Sequence, residues 1–226
     1  MYERATEVVR RIYDSRIATP PVLDPRQHFP GAERFIAAWT GLRDEAQAIA
    51  ADLAQVPRFH ELMPQQADVS ANDARDWRML VLKAYGVPVR GNQARCPRIA
   101  ALVEADPDVL SATLSFLAPH KHIPPHRGPF RGIIRFHLGL VVPLAADGRP
   151  AAVLTVDGHE HRIGDGESLL WDDTFTHEVH NRCDAVRIAL LLDIRRRGMP
   201  LDLALLSRAL IRGIGLAVRW KGPFAD

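Results

Sequence analysis

From Leu110 onward the chain becomes a succession of short β-forming runs broken by turn residues. This stretch of about 85 residues limits the fold more than any other part. The runs are 113–117, 132–142, 152–156, 159–163, 167–171 and 185–194. Asp157-Gly158 separates two of them, and such a pair favours a two-residue hairpin turn because both central positions need positive φ. Gly164-Asp165-Gly166 marks a second turn. Closely spaced strands with tight turns predict a sandwich or barrel of the jelly-roll kind.

Within 132–142 the side chains alternate between two faces. Ile134, Phe136, Leu138, Leu140 and Val142 make one face wholly apolar, while Ile133, Arg135, His137, Gly139 and Val141 make the other. The apolar face must pack on a hydrophobic layer, so Arg135 and His137 point into the barrel. A cation and an imidazole there need an anionic or metal-bound partner, because an unpaired buried charge is costly. The run 185–194 repeats the pattern. Val186, Ile188, Leu190 and Leu192 share one face; Arg187, Ala189, Leu191 and Asp193 share the other. Arg187 stands near the start of that strand, and its planar fork suits a carboxylate held by two parallel hydrogen bonds.

The flanks read differently. Residues 1–109 form a largely helical part beside the core. A helix is predicted over 32–55, where Phe35, Ile36, Trp39, Leu42, Ala46, Ile49 and Leu53 recur at helical spacing. A short amphipathic helix is expected over 6–13, a loop over 64–76, a strand over 77–82 and a helix over 98–105. The core spans 110–195, and 196–226 carries a C-terminal amphipathic helix over 201–220. Leu203, Leu206, Leu210, Ile214 and Val218 form its stripe, with Arg208, Arg212, Arg219 and Lys221 nearby. That stripe reads as packing on the domain or on a second copy of the chain, with an anionic membrane as the alternative. At 226 residues one domain over 1–226 is the expectation, of α+β class with a mainly β core.

A net charge of +2 is too small an excess to argue for nucleic acid. Cys96 and Cys183 are too far apart for a paired-cysteine motif and read as reduced thiols of a cytoplasmic protein. No N-terminal apolar run follows Met1 as a signal peptide requires, and no stretch reaches the roughly 20 apolar residues of a membrane span.

His126 sits at the mouth of one strand, and His177 lies about ten residues before Arg187. Neutral imidazoles suit ferrous iron, and two of them leave coordination positions for a keto-acid and oxygen. His120, His122, His159, His161 and His180 lack that setting and are read as structural or surface residues.

Pro124-Pro125-His126-Arg127-Gly128-Pro129, Arg135-Phe136-His137-Leu138-Gly139-Leu140, Asp172-Asp173-Thr174-Phe175-Thr176-His177-Glu178 and Arg187 together resemble the aspartyl/asparaginyl β-hydroxylase family of 2-oxoglutarate oxygenases. The resemblance is strongest over 115–193 and implies a double-stranded β-helix, a cupin-like jelly roll. It implies His126 and His177 as ligands of ferrous iron, and Arg187, helped by Ser115, as the grip on the distal carboxylate of 2-oxoglutarate. Arg135 and His137 would lie beside the metal, contacting cosubstrate or a substrate carboxylate, and Asp173 would orient a metal-bound water. The family lacks the carboxylate that related enzymes carry two residues after the first histidine, and Gly128 fits that. The implied reaction uses oxygen to hydroxylate an unactivated carbon and releases succinate and carbon dioxide. The first expected substrate is an aspartyl- or asparaginyl-type β-carbon, in a peptide or small molecule. A lipid A acyl chain, hydroxylated as by the related bacterial enzymes, is the alternative. A non-catalytic cupin-like sensor of keto-acid or metal, and a zinc hydrolase using Asp173, are the rivals from other classes.

Overall fold

The computed structural model describes residues 2–221, and its architecture follows the change of character at Leu110. Upstream lie helices α1 (Tyr2–Asp14), α2 (Pro25–His28), α3 (Ala32–Ala37), α4 (Trp39–Ala50), α5 (Phe59–Leu62), α6 (Ala67–Ser70), α7 (Arg90–Arg95) and α8 (Pro97–Ala105). Strands β1 (Val22–Leu23), β2 (Trp77–Ala84) and β3 (Val87–Pro88) are interspersed among them. Then come β4 (Val109–Leu117), β5 (His122–His126), β6 (Ile133–Val141), β7 (Ala152–Val156), β8 (His159–His161), β9 (Ser168–Trp171), β10 (His177–Asn181) and β11 (Arg187–Arg195). Helix α9 (Leu201–Lys221) follows.

The strands form two sheets. One has seven strands in the order β1-β9-β6-β11-β4-β2-β3, the other four in the order β5-β10-β7-β8. The chain therefore passes back and forth between the sheets from β4 to β11, with every pairing antiparallel, which is the winding of a double-stranded β-helix. The Asp157-Gly158 turn joins β7 to β8 with φ of 49° and 79°, as a tight hairpin requires.

The apolar face of β6 is fully buried at Ile134, Phe136, Leu138 and Leu140, under α3 and α4. Its other face looks into the barrel. The single helix expected over 32–55 is in three pieces: α3, α4 and a 3-10 turn at Leu53–Gln55, with Ala38 (φ −91°, ψ 0°) joining the first two. The apolar stripe runs on across the break because both helices lie on β6. The segment 64–76, expected as a loop, contains a 3-10 turn at Pro64–Gln66 and α6.

Helices α1 and α9 pack together at the end of the barrel. The buried Tyr13 hydroxyl donates to the Leu203 carbonyl at 3.2 Å, and its ring meets Phe130 edge-on. The buried line of α9 is Leu203, Ser207 and Ile211; of the expected stripe, Leu206, Leu210 and Val218 are half-buried and Ile214 is exposed. Among the described residues no helix is long and apolar enough to cross a membrane.

Candidate active site

His126 ends β5 and His177 begins β10, and the two face each other as a pair of opposed residues on adjacent antiparallel strands. Their ring centroids are 4.1 Å apart. His126 Nδ1 lies 2.8 Å from the Pro124 carbonyl oxygen and His177 Nδ1 lies 2.9 Å from that of Phe175. A carbonyl can only accept, so each Nδ1 carries the proton and each Nε2 keeps its lone pair. Burial, then the neighbouring His126, push His177 down to about 2, and burial also lowers His126. Both rings are therefore neutral near pH 7, which is the ligand form of histidine.

Two residues beyond His126 a side chain would have to displace the Asp173 carboxylate. The Gly128 N–H donates to the Asp173 carbonyl at 2.6 Å, and a Cβ on Gly128 would lie 2.2 Å from Asp173 Oδ1. The carboxylate at this place comes from Asp173 instead, although no group of three or more histidine, cysteine or acidic residues able to hold a metal occurs among the described residues. Burial pushes Asp173 up to about 6; Arg135 opposes that rise, and Asp193 and Asp172 add to it.

Arg135 reaches Asp173 at 3.2 Å and donates from Nε and Nη2 to Asp193 Oδ1 at 3.0 and 2.8 Å. The anionic partner that an inward cation needs thus comes from the chain itself. Asp193 is its register partner on β11. Both stand on inward faces in the sequence, and only the register between their strands was missing. Burial works against the charge on Arg135, but these two carboxylates outweigh it and raise its pKa.

A second cavity lies further along the barrel and is lined by His137, Arg187, Val153, Leu154, Ile163 and Val179 among others. Arg187 is 3% exposed, and its Nε and Nη1 have no hydrogen-bond partner among the described residues. Burial alone pushes it down to about 10. His137 is held well below the usual histidine range by burial, then by Arg187 and Arg135. Ser115 is buried on the neighbouring strand, two residues from Leu117, the register partner of Arg187. Its Oγ accepts from Trp77 Nε1 at 3.0 Å. So His126, His177, Asp173 and Arg135 share one cleft of about 220 Å³, and His137 with Arg187 lines the other cavity.

A model of the aspartyl/asparaginyl beta-hydroxylase family matches residues 37–197. The chain belongs to that family. Two of its curated relatives illustrate the range of the group. The ornithine lipid ester-linked acyl 2-hydroxylase of Rhizobium tropici is 31% identical over 179 residues, covering 79% of this chain and 62% of that protein. The human aspartyl/asparaginyl beta-hydroxylase is 25% identical over 178 residues, covering 72% of this chain and 22% of that protein. The chain thus spans under two thirds of the length of each.

This β-hydroxylase family member also carries a support that sequence reading missed. Asp172, fully buried, accepts from Arg131 Nε at 2.9 Å, from Arg196 and from the Thr174 hydroxyl at 2.6 Å. The cluster anchors the 172–176 segment that delivers Asp173 and His177. Arg131, Asp172 and Arg196 lie far apart in sequence, so only the fold brings them together.

Proposed function

We propose that the protein is a hydroxylase dependent on ferrous iron and 2-oxoglutarate, acting on an unactivated carbon of a lipid acyl chain. The observation that carries the oxygenase reading is the pair of opposed neutral imidazoles, each anchored through Nδ1, in the same barrel as a buried guanidinium whose Nε and Nη1 have no partner among the described residues. His126 and His177 would hold the iron, a donor set that suits a borderline divalent ion needing open positions. Arg187 would take the distal carboxylate of 2-oxoglutarate by charge-assisted hydrogen bonds, with His137 and Ser115 beside it. Asp173 would orient a water on the metal. When bound, the iron, 2-oxoglutarate and oxygen would supply the oxidant that replaces C–H by C–OH, with succinate and carbon dioxide as coproducts.

Two observations favour an acyl chain over a small acidic substrate. The cleft wall contributed by β2 and residues 59–63 is mainly apolar, with Phe59, Leu62, Met63, Met79 and Val81 beside the single cation Lys83. Arg135 is already matched by Asp193 and Asp173, which leaves it little charge for a substrate carboxylate. The acyl 2-hydroxylase relative fits this choice. The aspartyl or asparaginyl substrate is the second reading, supported by Tyr85, Ser111 and Thr113 on the same cleft.

The test is succinate formation from 2-oxoglutarate with ferrous iron and ascorbate. Slow turnover without substrate is expected, rising with an acyl lipid, and His177→Ala should abolish it. Tight 2-oxoglutarate binding with no succinate under any substrate would favour a sensor, and turnover supported by zinc would favour a hydrolase. Stimulation by an aspartyl peptide but not by lipid would move the substrate to the second reading.

A further inference from the structure

Helix α9 carries more apolar surface than its packing uses. Leu203, Ser207 and Ile211 face the protein, Gly215 sits so close to Tyr85 that a Cβ would lie 2.7 Å from its carbonyl oxygen, and Val218 packs on the cluster of Val81, Ala84 and Leu62. The opposite side is greasy as well. Leu201, Leu205, Leu216 and Trp220 are 75, 53, 59 and 92% exposed. At 3.6 residues per turn these four fall within an arc of ~120°, and Arg208, Arg212 and Arg219 fall in the same arc. All three arginines are exposed, and none has an ion-pair partner among the described residues. At the foot of the helix a cavity of about 320 Å³ is lined by Arg195, Arg197 and Arg208, with Asp108 as its one acid. All of α9 lies beyond the residues that match the family, 37–197.

We infer that this outer face of α9 seats the protein on an anionic lipid bilayer. Leucines and a tryptophan interleaved with arginines suit the boundary between acyl chains and phosphates. The arginine stems lie along the apolar surface while their heads reach the phosphates, and the indole favours the interface. A second copy of the chain is the poorer occupant, since a two-fold contact would set three unpaired arginines against the same three. The position of the helix adds to the case. Leu62, Val81, Ala84 and Tyr85, against which α9 packs, also line the cleft of His126 and His177. A bilayer under α9 therefore borders the cleft, and an acyl chain would enter without crossing water. That last step rests on the acyl-chain reading above; the docking itself does not.

Flotation of the protein with vesicles tests the docking without reading turnover. The wild-type chain should float with vesicles of phosphatidylcholine and phosphatidylglycerol, and much less with phosphatidylcholine alone or in high salt. Leu205→Glu with Leu216→Glu, and separately Arg208→Glu with Arg212→Glu, should each weaken partitioning by at least ~10-fold. Unchanged melting temperatures would show that both variants keep the fold. Equal flotation of wild type and both variants would overturn the inference. So would sedimentation velocity showing a wild-type dimer that Leu205→Glu splits, since the face would then be a self-interface. If vesicles bind but no lipid is hydroxylated, the docking stands and the substrate reading falls.

Discussion

Two arginines project into one barrel from paired strands, and their conditions are opposite. Arg135 on β6 stands across from Asp193 and beside Asp173, and these carboxylates hold its pKa above the usual value. Arg187 on β11 is 3% exposed, yet Nε and Nη1 have no partner among the described residues and burial lowers it to about 10. A charge already balanced by its own chain belongs to the scaffold. A buried charge left unbalanced is a standing cost to folding, and a bound anion would relieve it. On the proposed function, the difference separates a residue that holds the histidine end of the site in shape from one that waits for a ligand.

The contrast can be broken at either end. Arg187→Leu should raise the 2-oxoglutarate requirement by roughly 100-fold, as expected when one partner of a buried charge pair is truncated. It should leave the thermal midpoint of the ligand-free protein unchanged or higher; a large loss of stability would make Arg187 a scaffold residue after all. Arg135→Leu should do the reverse. It strands two carboxylates and should lower stability by about 3 kcal/mol, the low end for a broken buried pair because its side chain is partly exposed. Denaturant titration reads this directly, and a neutral result would mean that water already screens the cluster.

The next effect is a pH dependence. Asp173 lies at about 6 in the folded protein against an ordinary value of 3.8, so the unfolded chain gives up this proton first. Stability from this group is present below pH 4 and is lost as pH rises from about 4 to about 6, by about 2 kcal/mol. The melting temperature of the metal-free wild type relative to Asp173→Asn should therefore fall over that window and stay flat above it. A difference that grows with pH would mean that Arg135 controls Asp173 more strongly than burial does. The smallest effect is expected from Gly128→Ala. Its methyl group must displace the Asp173 carboxylate, and iron affinity should drop about tenfold, as for other changes just outside a metal's ligands. Calorimetric titration with ferrous iron under anaerobic conditions measures it.

Much of this was legible from the residues. The alternation in 132–142 and 185–194 places Arg135, His137 and Arg187 inward, and all three lie there. Two core strands were not legible, and they are the ones that carry the histidines. β5 reads His-Ile-Pro-Pro-His, and prolines argue against a strand unless it lies at a sheet edge, which is where β5 lies. β10 reads His-Glu-Val-His-Asn, too polar to look like core, because only part of its surface is covered. The balancing of Arg135 by Asp193 was hidden for another reason. Each strand's alternation was visible, but the register between strands is a long-range property that neither segment carries alone.

The pairing of β5 with β10 slips by one residue just after the two histidines: His177 opposes His126, but Val179 opposes Ile123. That irregularity turns the end of β5 and aims its final imidazole. The approach of the two imidazoles thereby follows from one step of strand alignment rather than from the long excursion that separates the two histidines in the chain. The turns at 157–158 and 164–166 can lengthen or shorten without moving the two histidines, which are set by the β5–β10 pairing and the Asp172 cluster. Loss of one residue from the Pro124-Pro125 segment would rotate His126 to the other side of its strand and part it from His177 while leaving the barrel standing.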